Sequence, residues 1–502
     1  MAKRPNILLV LADQLTASTL PFHGGVADAP ALRRLADGGV VFTNAYCASP
    51  LCAPSRAALL TGRLPSKLGV YDNAAELPAS APTIAHHLRS RGYATSLAGK
   101  MHFIGPDQLH GFEERLTTDV YPAGFDWVPD WSLPLDERLP WYHDMSSVHD
   151  AGVSEATLQL DFDEEVGFRA ERKLFDLARS RERPFFLTVS FTHPHDPYES
   201  RQRYWDRYDG RAIPDPRVPP LPREEQDAHS RRLAQMYGLD DAEPTPSQVA
   251  HARRAYHASV GYVDDKVDAL LSTLAETGLA RDTIVIVTSD HGDMLGERGL
   301  WYKMSFFEDS VRVPLIVHAP WAFEARRIEA GVSLLDLLPT VLELAAGEPA
   351  HAPGLDGTSL APFLRGEPPG ARTILAEYLA EGTHAPCVMV RDGSLKLIHC
   401  PTDPDLLYDL SADPLELTDA SATCEAELQR LRETVAREWD LVALGDAIRT
   451  SQQERLLIGR AVDEGAATSW DYSPPDQSAG RYVRGRDFWR PFAAARLRPP
   501  NA

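Results

Sequence analysis

The sequence predicts an α/β fold, a large mixed and mostly parallel sheet flanked by helices, followed by a smaller C-terminal α+β domain with an antiparallel sheet. Three observations lead there. Apolar runs of strand length recur at residues 7–12, 93–98, 185–191 and 284–288, as expected of strands buried on both faces. Each of these runs passes straight into a polar cluster. Beyond a Gly/Pro-rich linker that ends near residue 369, the segments 373–378, 387–391 and 395–399 alternate as antiparallel strands do. A chain of 502 residues accommodates one large domain and a small one. The boundaries read as 1–370 for the body, 371–460 for the second domain and 461–502 for a tail.

In chain order, Ile7-Leu8-Leu9-Val10-Leu11-Ala12 is a buried parallel strand that stops at Asp13-Gln14. Residues 31–38 form a short amphipathic helix, and Val40-Val41-Phe42 a second strand leading to the loop of Cys52. Ser55 reads as a helix cap, with good helix formers at 57–60. Cys52 then faces the positive end of the helix dipole with Arg56 one turn on, a setting that favours an anionic or oxidised sulfur. Residues 83–91 are helical with Gly92 as the stop, and the next strand delivers Gly99-Lys100-Met101-His102. The Pro-, Trp- and acid-rich stretch 107–142 reads as a cover built from loops. The strand at 185–191 ends in Thr192-His193-Pro194-His195-Asp196, and 198–246 is an irregular insertion. A long amphipathic helix over 250–277 precedes the strand that ends in Ser289-Asp290-His291. Residues 334–346 and 425–444 are helical, and the tail from Gly465 is aromatic and arginine-rich.

A net charge of −21 argues against nucleic acid or an anionic membrane as the main partner. Five scattered cysteines form no disulfide framework, and the apolar run at 7–12 is too short for an export signal. No stretch has the length of a membrane span. These features read as a cytoplasmic protein.

Carboxyl ends of parallel strands share one edge of the sheet, where ligands bind. Asp13, Lys100, His102, His193, Asp290 and His291 therefore converge. Asp13, Asp290 and His291, with Gln14 nearby, make a mostly oxygen donor set suited to one divalent ion, Ca²⁺ foremost, with Mn²⁺ or Mg²⁺ as alternatives.

The run Cys52-Ala53-Pro54-Ser55-Arg56, followed by Leu60-Thr61-Gly62, resembles the maturation signature of the type I sulfatases of the alkaline phosphatase superfamily. The resemblance implies that Cys52 is oxidised by a formylglycine-generating maturation enzyme to Cα-formylglycine, whose hydrate is the nucleophile, with a sulfoenzyme intermediate. It implies a metal held by Asp13, Gln14, Asp290 and His291; Gln14 stands where an aspartate is commonest. It also implies that Lys100 and Lys303 hold sulfate oxygens, that His193 or Lys303 protonates the leaving alcohol, that His102 takes the proton of the second hydroxyl, and that Arg56 supports the hydrate.

The runs Tyr71-Asp72-Asn73-Ala74-Ala75-Glu76, Gly99-Lys100-Met101-His102-Phe103 and Thr192-His193-Pro194-His195-Asp196-Pro197-Tyr198 look like the choline sulfatase branch. A quaternary ammonium accepts no hydrogen bond and is best held by aromatic faces and diffuse negative charge. Trp127 and Glu377 are the matching candidates, with Asn73 and His143 lining the pocket. The resemblance implies a small sulfate ester as substrate and a dimer or tetramer joined through the tail, where Asp487 is the nearby acid. Two other readings compete: a related sulfatase or phosphonate monoester hydrolase with another substrate, and an unmatured protein that only binds anions.

Overall fold

The computed structural model describes residues 4–347, 352–368, 370 and 372–465. Eight strands form the main sheet: β1 (Asn6–Asp13), β2 (Val40–Tyr46), β3 (Ala94–Gly99), β4 (Glu114–Arg115), β5 (Phe185–Pro194), β6 (Thr283–Ser289), β7 (Arg312–His318) and β8 (Arg326–Ser333). Their order is β8-β2-β7-β6-β1-β5-β3-β4. Pairing is parallel except along β7, which runs against both β2 and β6. The central strands β1, β5 and β6 are buried at every residue, which accounts for their predominantly apolar sequences.

Residues 312–318 and 326–333 carry no clear strand signal; Pro314 inside the first argues against one from sequence alone. Its carbonyl nevertheless accepts the Thr288 hydroxyl at 2.7 Å. The helices that cover the sheet include α1 (Pro30–Gly38), α2 (Cys52–Thr61), α3 (Ile84–Ser90), α4 (Leu158–Arg179), α5 (Pro246–Glu276) and α6 (Leu337–Ala346). The sequence reading passes over α4, whose buried stripe of Leu160, Val166, Ala170 and Leu174 has the helical period. The insertion read as irregular contains a helix, Ala228–Tyr237, capped by the Asp227 side chain.

The smaller unit is a four-stranded antiparallel sheet of β9 (Thr373–Tyr378), β10 (Cys387–Asp392), β11 (Leu395–His399) and β12 (Leu406–Asp409). Its apolar face packs with α7 (Glu425–Glu438) in one cluster that includes Val388, Leu397, Leu431 and Trp439. The helix expected over 425–444 is two helices. The chain breaks at Trp439-Asp440, and Asp440 caps α8 (Leu441–Glu464). That last helix returns to the body: Arg455 grips both oxygens of buried Asp72, at 2.6 and 2.7 Å. Among the described residues no helix is long and apolar enough to cross a membrane. The tail with Asp487 lies outside the described residues.

Candidate active site

The parallel strands deliver the site. Asp13 ends β1, Lys100 follows β3, Asp290 follows β6, and the loop after β2 brings Cys52 to the start of α2. One departure concerns the cap. Cys52 is itself the first residue of α2, and Ser55 lies inside the first turn, donating from Oγ to the Asp290 carbonyl at 2.6 Å. Ser55 thus ties the helix to the end of β6 instead of capping it. All ten residues of α2 are buried, so the helix is fixed by packing on every side.

Cys52 Sγ lies 3.2 Å from His291 Nε2, 3.5 Å from Lys100 Nζ and 3.9 Å from Asp13 Oδ1. Arg56, one turn further, is fully buried and donates to Asp290 at 2.9 Å, Asp13 at 3.1 Å, the Lys100 carbonyl at 2.6 Å and Ser190 Oγ at 2.9 Å. Lys100 also contacts Asp13. Burial alone would raise Asp13, but Lys100 and Arg56 hold its carboxyl well below the usual range. The same burial opposes ionisation of Cys52, and Lys100, Lys303 and His102 overcome it, drawing the thiol down to about 6.

Asp13, Cys52, Asp290 and His291 each offer a donor atom, and these atoms lie within 4.8 Å of one another. Two buried carboxylates and a neutral imidazole match a hard divalent cation. Gln14 adjoins them with φ 61°, in the left-handed region where a side chain is strained. Its backbone N–H donates to Asp290; its side-chain oxygen accepts Lys303 Nζ at 2.7 Å, and its amide donates to Asp293 at 2.6 Å.

A cavity of about 240 Å³ opens above Cys52. Lys303, His195, Asp196, Asn73, Gln159 and Pro197 line it. Tyr121, Trp127, Trp141 and His143 add aromatic rings to the lining, and Glu381 joins it from the second unit. Lys303 Nζ is 2.6 Å from His195 Nε2 and 3.5 Å from His143 Nε2. His195 Nδ1 meets the Asp196 carbonyl at 2.6 Å, so Nδ1 carries the proton and Nε2 accepts from Lys303. Asn73 Oδ1 accepts the Ala53 N–H at 3.0 Å and thereby holds the start of α2. His102, at φ 59°, is buried, and its two ring nitrogens find no hydrogen-bond partner among the described residues. Its ring lies 5.4 Å from Tyr121 and 5.8 Å from Trp127, centroid to centroid.

Two expected site residues lie elsewhere. His193 faces away from the cavity: its Nδ1 is 2.7 Å from Asp163 on α4, and its ring packs on Tyr262. Strict alternation would place residues 193 and 195 on one face. The chain instead leaves β5 at Pro194 in a turn, with the His195 N–H donating to the Thr192 carbonyl at 3.0 Å and the register against β1 shifting at Asp13, so only His195 reaches the cavity. Glu377 is also out of the pocket. It accepts from the Ser66 N–H at 2.8 Å, from Ser66 Oγ and from Trp439 Nε1 at 2.5 Å, which pins the second sheet to the body. The second unit's acid at the cavity is Glu381, four residues on and past the end of β9. It is 2 % exposed, with Oε2 unpartnered among the described residues. Sequence reasoning missed Tyr121, His195 and Glu381. The second histidine of His193-Pro194-His195 and the second acid of Glu377-Tyr378-Leu379-Ala380-Glu381 were the available signals.

The fold and the site meet the same class of protein in comparisons with known ones. The sulfatase family model matches residues 5–348, so the chain belongs to the sulfatase family. The model for the C-terminal part of N-sulphoglucosamine sulphohydrolase matches 296–439, and that for the choline sulfatase C terminus matches 446–489. A choline-sulfatase of Rhizobium meliloti is 46% identical over 494 residues, covering 96% of each chain. The multifunctional alkaline phosphatase superfamily protein PehA of Trinickia caryophylli is 28% identical, over 87% of this chain and 95% of its own. Among solved structures, the phosphonate monoester hydrolase SpPMH of Silicibacter pomeroyi superposes with a TM-score of 0.69 at 25% identity, over 86% of this chain and 95% of that one.

Proposed function

We propose that the protein hydrolyses choline-O-sulfate to choline and sulfate. The observation that carries the reading is the cavity above Cys52, whose lining joins the aromatic rings of Tyr121, Trp127 and Trp141 to the buried acid Glu381 contributed by the second unit. An aromatic wall with one buried carboxylate suits a quaternary ammonium. A nucleophile set among lysines suits the sulfate of the same small molecule. The full-length likeness to a choline-sulfatase supports the assignment.

Cys52 is the position for the formylglycine, which when formed supplies a hydrated aldehyde as nucleophile. Asp13, Asp290 and His291, with Gln14 adjoining, would hold the divalent ion, Ca²⁺ by the hardness of the oxygen set. Bound there, it would supply positive charge to offset that of a sulfate ester. Lys100 and Lys303 bind the sulfate oxygens. Lys303, backed by His195, donates the proton to the leaving alcohol, and His102, whose ring nitrogens are unclaimed, receives a proton at the Cys52 position. Arg56 keeps Asp13 and Asp290 ionised and in register. Five free cysteines fit a cytoplasmic enzyme. The tail from residue 461 joins subunits into a homo-oligomer, beyond a body of 1–370 and a second domain of 371–460.

The test is the mass of the Cys52 peptide beside turnover of choline-O-sulfate. An active preparation is expected to carry the aldehyde mass at Cys52, and Cys52→Ala to be folded and inactive. Full activity with an unmodified thiol would overturn the reading.

A further inference from the structure

We propose that Cys387 and Cys400 are a cross-strand redox pair, closing to a disulfide when a hydroperoxide oxidises them, beneath the loop that carries Glu381 to the cavity. The sheet register brings them together. β10 and β11 pair Val388 with His399, and one further step along the antiparallel ladder sets Cys387 opposite Cys400. Residues directly opposite in such a ladder have Cα atoms ~4.5–5.5 Å apart, within the ~4.4–6.8 Å that a disulfide spans. The two sulfurs and a carboxylate oxygen of Asp403 lie within 4.8 Å of one another.

The surroundings favour oxidation over metal binding. Asp403 is committed to Arg232, which donates to both its oxygens at 2.8 and 2.5 Å and to the Gly382 carbonyl at 3.0 Å. That leaves two sulfur donors beside a fixed cation. Cys400 Sγ sits 3.3 Å from Thr402 Oγ1; the hydrogen bond from Cys387 draws the Cys400 thiol down to about 6, against burial and with help from Thr402. Cys400 is thus the thiolate and Cys387 the thiol that resolves it. Cys47, by contrast, is pushed above its usual range by burial.

The chemistry balances with the peroxide as oxidant. The Cys400 thiolate attacks the terminal peroxide oxygen, the O–O bond breaks, and the departing alkoxide, or hydroxide from hydrogen peroxide, takes a proton to leave as alcohol or water. Cys387 sulfur then attacks the resulting sulfenic sulfur; the S–S bond forms, the S–O bond breaks, and the hydroxyl departs with the Cys387 proton as water. Two thiols lose two electrons and the peroxide gains them. The closure reaches the cavity through Thr383. Cys387 Sγ lies 3.5 Å from Oγ1 of Thr383, two residues beyond Glu381, and that hydroxyl donates to the Ala385 carbonyl in the same loop. Pulling Cys387 toward Cys400 loosens this contact and with it the placement of Glu381, a consequence that rests on the choline reading.

The experiment treats the mature, metal-replete enzyme with hydrogen peroxide and maps peptides without reduction. Expected is a linked peptide pair bearing Cys387 and Cys400, lighter by two hydrogens and separated by dithiothreitol. With it, KM for choline-O-sulfate rises several-fold, reversibly, with little change for an aryl sulfate; Cys400→Ser and Cys387→Ala each abolish both effects. Separate peptides, with each cysteine free or singly oxidised, would overturn the pair whatever the substrate is. A linked pair with both KM values unmoved would overturn its coupling to Glu381.

Discussion

At the scale of single residues, Glu381 decides what the pocket recognises. Burial, reinforced by Asp72 and opposed by Lys303, pushes its carboxyl up to about 7. The group is therefore neutral below that pH and charged above it. KM for choline-O-sulfate is expected to fall as pH rises through about 7, with no matching step for an aryl sulfate; a flat profile for the cationic ester would contradict the role. Glu381→Gln is expected to raise KM for choline-O-sulfate ~10-fold or more, the equivalent of ~1.4 kcal/mol. The two histidines separate just as cleanly. His195→Ala is expected to lower kcat ~10²–10⁴-fold, the usual range for a proton-transfer group or its support. His193→Ala leaves Asp163 short of a partner and lowers stability by ~1–3 kcal/mol, with kcat per folded molecule kept. A stopped assay at saturating substrate beside a thermal melt distinguishes the pair. Both histidines stand in one five-residue run, so the sequence located the run. Which ring enters the cavity depends on the path of the chain past β5 and on Asp163 of a helix the sequence reading never proposed.

Secondary-structure elements set the distances on which that chemistry depends. β3 lies so close to β5 at Gly99 that an added Cβ would meet the Ser190 carbonyl oxygen at 1.9 Å, and the residue's φ of 101° suits glycine. Gly99→Ala is expected to displace Lys100, lowering the melting temperature and kcat together. A variant of wild-type activity would contradict the view that β3 places Lys100. Strands β1, β3, β5 and β6 were legible because their runs of apolar and small residues fit strands buried on both faces. β7 and β8 were not: one contains a proline, and the other, at the sheet edge, alternates half-buried and exposed residues with Arg326 and Arg327 at its start. Helix α2 was legible as a helix, but its first residue was misread, because tertiary contacts of Ser55 with Asp290 took the hydroxyl that a cap would have used.

For the molecule as a whole, the second sheet and the last helix act as a clamp on the cavity. Glu377 ties β9 to Ser66 and Trp439, and Arg455 of α8 ties Asp72, next to Asn73, while Gln452 accepts the Trp131 N–H of the cover at 2.9 Å. Arg455→Ala strands a buried carboxylate and is expected to cost ~3–5 kcal/mol of stability, read as a lower denaturant midpoint. Glu377→Ala is expected to lower the midpoint too, while leaving the preference between cationic and aryl esters unchanged. Loss of that preference would return Glu377 to the pocket. None of these long-range ties has a local pattern; an acid at 377 and another at 381 look alike until the sheet is assembled.

The most direct measurement compares kcat/KM for choline-O-sulfate with that for its uncharged carbon isostere, 3,3-dimethylbutyl sulfate, and for an aryl sulfate, on one metal-replete preparation. The three esters share the sulfate and differ at the far end of the cavity. A large preference for the quaternary ammonium, reduced by Glu381→Gln, is the predicted result. Equal turnover of the cation and its neutral isostere would contradict the account.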